Sequence, residues 1–93
     1  IWNCMNSDFT GEGLPKGYEG MGLEEQFDLV KDKIGCIHLR DLSTDYPWRK
    51  LFSLLSASGY KGYCDIEVSP ASCEPIRYLQ NFRALFLALQ NAL

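Results

Sequence analysis

Gly35-Cys36-Ile37-His38-Leu39-Arg40-Asp41 stays apolar up to Leu39 apart from His38, and then turns charged. A strand covered on both faces, as in a parallel sheet, reads this way. Upstream Ile1-Trp2-Asn3-Cys4-Met5-Asn6, and downstream Cys64-Asp65-Ile66-Glu67-Val68, have the same character. The three segments recur roughly every 30 residues with helix-like sequence between them, the spacing of consecutive βα units. Each carries a polar residue to the end of its strand, which is where an α/β barrel assembles its site.

Length limits the reading. The chain has 93 residues, whereas a closed eight-unit barrel takes about 250. Only three βα units fit, and the strand pattern starts at Ile1 with no initiator Met, so residues 1–93 read as an excerpt of a barrel whose earlier strands lie upstream. Hydrophobic residues make up 46%, and the formal net charge is −3. No apolar run approaches the about 20 residues needed to span a bilayer, and no charged-then-apolar leader is present. The mild acidity and scattered Lys and Arg argue against nucleic acid as the main partner. Cys4, Cys36, Cys64 and Cys73 include no C-x-x-C pair. They read as free thiols acting as small apolar residues, with a disulfide or metal ligation as the alternatives, and a reducing cytoplasm follows.

Between the strands, residues 7–22 hold Gly11, Gly13, Gly17, Gly20, Gly22 and Pro15, which predicts a long loop without regular structure. Leu23, Phe27, Val30 and Ile34 predict the first crossover helix, with Glu24 and Glu25 in its first turn and lysines near its end. Pro47 fits the first turn of a second helix whose apolar face is Trp48, Leu51, Leu54 and Leu55, and Gly59 stops it. Tyr63–Val68 is the third strand. A final helix from about Pro75 buries Ile76, Leu79, Phe82, Phe86, Leu89 and Leu93. The Trp and Tyr residues mostly fall at packing positions between helices and sheet.

Strand alternation sorts the side chains. If His38 faces the barrel interior, so do Cys36 and Arg40, while Ile37 and Leu39 pack against helices; the same parity sends Asp65 and Glu67 inward. An imidazole and a carboxylate from neighbouring strand ends make half of a divalent-metal site. A hydrogen-bonded structural histidine is the alternative, because His38 has no H-x-H or H-x-x-x-H companion.

The ordered set Ile37-His38-Leu39-Arg40-Asp41, Gly59-Tyr60-Lys61-Gly62 and Ile66-Glu67 resembles the last strands of the xylose isomerase-like barrel superfamily. The resemblance covers nearly the whole chain and makes it the C-terminal part, strands six to eight, of a (β/α)8 TIM barrel. It implies a divalent-metal site (Mn, Mg, Co or Zn) with His38 and Glu67 as ligands, and Asn3 where the superfamily usually has Asp. An amide oxygen there brings no negative charge, so metal affinity should fall. The segment from Asp41 to Trp48 also lacks the G-x-G that many sugar epimerases carry.

The implied activity is a sugar or sugar-phosphate isomerase or epimerase acting by proton abstraction next to a carbonyl through an enediolate, with Glu67 as ligand and acid/base. Arg40 and Asn6 are the candidate substrate contacts. The alternatives are a metal-dependent dehydratase of the cyclitol or dehydroshikimate type, or a non-catalytic barrel that has lost its metal. The endonuclease IV branch is disfavoured, since no histidine follows His38. Expected partners are a small carbohydrate, no nucleic acid and no membrane, with self-association through open sheet edges.

Overall fold

In a computed structural model, residues 1–66 and 75–91 are described. Three strands, β1 (Trp2–Asn3), β2 (Cys36–Leu39) and β3 (Tyr63–Ile66), form one parallel sheet in the order β1-β2-β3. Trp2 aligns with Ile37, Asn3 with His38, His38 with Asp65 and Leu39 with Ile66. Consecutive parallel strands require crossovers, and helices supply them: α1 (Ser7–Thr10) and α2 (Leu23–Val30) between β1 and β2, and α3 (Trp48–Ala57) between β2 and β3, with α4 (Pro75–Asn91) following β3. Among the described residues no helix is long and apolar enough to cross a membrane.

The helices pack on one face of the sheet. Ile37 and Leu39 are essentially sealed, joined by Trp2, Cys4, Leu23, Phe27, Trp48, Leu51, Phe52, Leu55 and Phe82. Cys36 and His38, of the other parity, are only half-buried, and Asn3, Tyr63 and Asp65 are exposed. The alternation expected for β2 is therefore observed, and among the described residues the face opposite the helices is open.

Three expectations change. The stretch after β1 is not wholly irregular, because Ser7–Thr10 closes one helical turn, with Gly11 as its left-handed cap donating its N–H to the Ser7 carbonyl. The first crossover helix is shorter than its apolar stripe: after Val30 the chain tightens into a 3-10 turn over Lys31–Lys33, leaving Val30 exposed and Ile34 half-buried. In α4, Phe82 is buried and Tyr78, Phe86 and Leu89 half-buried against the core, but Ile76 and Leu79 are exposed, so the buried stripe enters the start of the helix through Tyr78 instead of Ile76 and Leu79. Leu93, like Glu67, Val68 and Cys73, lies outside the described residues.

Two glycines are required by close approach. At Gly11 (φ +73°) an added Cβ would lie 2.5 Å from the Gly20 Cα. Gly20 in turn donates its N–H to the Gly11 carbonyl at 3.1 Å, pinching the base of the loop formed by residues 12–19. At Gly62 a Cβ would collide with the Tyr60 hydroxyl and with the Gly35 carbonyl oxygen, 2.5 Å away. Tyr60 uses that hydroxyl to donate to the Tyr63 carbonyl at 2.6 Å, turning the chain from α3 into β3. The Gly59-Tyr60-Lys61-Gly62 pattern thus has a packing reason in this chain.

Candidate metal centre on the open sheet face

The register of the sheet draws the polar residues of three strands into one row. Asn3, His38 and Asp65 are aligned partners across β1, β2 and β3. Cys36, two residues before His38, shares its face. The His38 Nε2 lies 4.0 Å from Asp65 Oδ2, and the Cys36 thiol donates to the same oxygen at 3.2 Å. The Cys36, His38 and Asp65 ligand atoms all fall within 4.8 Å of one another. The bond to the Asp65 carboxylate is the main cause of the raised Cys36 pKa, because it stabilises the protonated thiol.

This donor set suits a divalent cation, offering one thiol sulfur, one imidazole nitrogen and one carboxylate oxygen from rigid strand positions. The sequence reading placed His38 and Asn3 here, and they are neighbours. Glu67, its other ligand, lies outside the described residues. Cys36 is a free thiol as expected, but it is half-buried and hydrogen-bonded to a carboxylate instead of serving as an apolar core residue. Its pairing with Asp65 depends on register between residues 29 positions apart, which composition does not reveal.

Arg40 and Asn6 meet elsewhere. They line a cavity of about 670 Å³ beyond the carboxyl ends of β1 and β2, together with Cys4, Phe9, Tyr46 and Trp48. His38 is not among its lining residues, so the cavity and the polar row are separate features. Asn6 precedes α1, yet its side chain makes no capping hydrogen bond. Its backbone carbonyl instead accepts the N–H groups of Phe9 and Thr10. Asp41, beside Arg40, accepts from both the backbone N–H and the hydroxyl of Ser43, which holds its carboxyl below the usual range.

One acid went unnoticed in the sequence. Asp8 is 7% exposed and accepts the Tyr46 hydroxyl at 2.6 Å and the Met5 N–H at 3.0 Å. The Trp2 indole N–H donates to the Tyr46 oxygen at 3.3 Å. Burial raises the Asp8 pKa despite these donors, and burial also pushes the adjacent Cys4 thiol up to about 12. The network ties β1, α1 and the segment before α3 together beneath the Arg40–Asn6 cavity. Its only sequence signal is an acid inside a glycine-rich stretch.

Compared with protein-family models, curated proteins and solved structures, the chain matches none.

Proposed function

We propose that the protein is a divalent-metal-dependent sugar or sugar-phosphate isomerase or epimerase, its sheet forming strands six to eight of a (β/α)8 barrel. The observation that carries this reading is the row Asn3, His38 and Asp65, aligned on the helix-free face of a parallel sheet. In a barrel that face turns inward, and ligands bind at the carboxyl ends of the strands. The open side of the row leaves room for a substrate.

A divalent cation bound there supplies electrostatic stabilisation for the negative charge that develops as a proton leaves the carbon next to a carbonyl. His38 holds the site from the central strand, and Asn3 adds a neutral oxygen from β1. Glu67 is the acid/base that moves the proton, a role resting on the Ile66-Glu67 resemblance alone. Arg40 and Asn6, in their cavity above the strand ends, orient the hydroxyl or anionic tail of a carbohydrate long enough to reach from the row. The free thiols Cys4, Cys36 and Cys64 accord with a reducing, cytoplasmic setting.

The test is solvent-deuterium exchange into a panel of aldoses, ketoses and their phosphates, followed by NMR with and without chelator. Metal-dependent exchange at the carbon next to the carbonyl is expected, and Glu67→Gln should slow it at least ~10²-fold. Exchange indifferent to chelator, or full turnover in Glu67→Gln, defeats the proposal.

A further inference from the structure

The position of Cys36 has a consequence for the ligand set. We infer that Cys36, His38 and Asp65 together form a thiolate–imidazole–carboxylate site for zinc or a zinc-like cation. The inference rests on the metal reading above and alters it, replacing ligation through Asn3 and Glu67 by ligation through Cys36 and Asp65.

Distances support the assignment. Tetrahedral zinc, with Zn–S of about 2.3 Å and Zn–N and Zn–O of about 2.0–2.2 Å, needs S···O near ~3.6 Å and N···O near ~3.4 Å. The observed separations are 3.2 Å for Cys36 to Asp65 and 4.0 Å for His38 to Asp65. Side-chain adjustments of about half an ångström bring these two pairs to the tetrahedral values, and the Cys36–His38 pair, within 4.8 Å, closes toward about 3.6 Å. The backbone needs no change, because Cys36 and His38 share one strand face and Asp65 is the register partner of His38.

Charge explains the rest of the row. Cys36 as thiolate and Asp65 as carboxylate supply two negative charges, enough to neutralise a divalent ion. Position 3 then need not contribute charge, which accounts for an amide at Asn3. Asn3, the register partner of His38 on β1, stays outside this ligand set, and three protein ligands with one open position would be the mark of a catalytic rather than a structural zinc site. The thiolate also selects the metal: sulfur favours zinc and cobalt over magnesium and manganese. Binding releases the Cys36 proton that now bridges to Asp65.

Cobalt(II) tests this directly, since a Co–S bond produces a thiolate-to-metal charge-transfer absorption. Titrating cobalt into the reduced protein should give that band at one equivalent, and zinc should displace it. Cys36→Ser should abolish the band and weaken zinc binding at least ~10-fold, the lower end of the loss seen even for residues that only support a ligand. Cys4→Ser, Cys64→Ser and Cys73→Ser should keep the band. Asp65→Asn, a second probe of the same site, should keep it while weakening affinity. A band that persists in Cys36→Ser, or no band in the unmodified protein, overturns the ligand set. Exchange activity that runs on magnesium and survives Cys36→Ser upholds the proposed function and overturns this inference. A Cys36-dependent band in a protein without exchange activity does the reverse.

Discussion

Replacing Tyr46 by Phe removes one oxygen atom from the buried network around Asp8 and keeps the ring that packs against Trp48 at 4.4 Å. The lost hydroxyl is donor to Asp8 at 2.6 Å and acceptor for the Trp2 indole at 3.3 Å. A hydrogen bond to a charged group contributes about 1.5–3 kcal/mol, and a buried donor left unsatisfied costs about 1–3 kcal/mol more. Asp8 keeps the Met5 N–H, so the expected loss is about 2–4 kcal/mol. Urea unfolding followed by tryptophan fluorescence is the assay, since Trp2 and Trp48 both adjoin Tyr46. The pH dependence provides a second reading. A carboxyl whose folded pKa is raised favours the folded state most when protonated, so its contribution is full below the ordinary value of 3.8 and falls as pH rises through the folded value. Asp8→Asn should remove that fall. A Tyr46→Phe protein within ~0.5 kcal/mol of the parent, the range of an ordinary surface substitution, would refute the view that Asp8 depends on Tyr46.

Other substitutions probe other parts. Asn3→Asp adds a carboxylate beside His38 and should tighten divalent-metal binding, measured calorimetrically; unchanged or weaker binding would mean that Asn3 does not face the ion. Gly11→Ala forces a Cβ to within 2.5 Å of the Gly20 backbone at a positive φ, and should cost at least about 1–3 kcal/mol in thermal unfolding; a neutral result would mean the pinch is absent in solution. Among the described residues, the outer strands β1 and β3 leave unpaired ladder edges, and Ile1, Leu29 and Tyr63 are exposed. The chain should therefore self-associate with concentration in sedimentation, and Leu29→Glu should reduce this; a monomer across the whole range would contradict it.

The strands were legible because their signal is local. A run as apolar as Cys36–Leu39 with one histidine has few other readings, and alternation correctly put Ile37 and Leu39 against the helices. The same holds for α3, whose Trp48, Leu51 and Leu55 repeat is complete in ten residues. What escaped depends on distance along the chain. Asp8 meets Tyr46 across 38 positions and Cys36 meets Asp65 across 29, pairings set by packing and register rather than by neighbours. Ile76 and Leu79 show the opposite error: their helical spacing is correct, but the start of α4 turns Tyr78 toward the core in their place. The single turn at Ser7–Thr10 was hidden by the glycines that follow it, one of which is its cap.

The pinch between Gly11 and Gly20 gathers the two ends of the first loop to one point. Leu14, Pro15 and Tyr18 of the loop line a cavity with Trp2 and Asn3, whereas Lys16 and Gly17 between them are exposed. Closing such a loop costs entropy only as the logarithm of its length, about 0.6 kcal/mol for each doubling. The tip is therefore a natural graft point: an inserted peptide or a reporter tag can be spliced between Lys16 and Gly17 while Gly11 and Gly20 hold the entrance fixed. Evolution has the same freedom, and length can accumulate there without disturbing the register that aligns Asn3, His38 and Asp65 across the sheet.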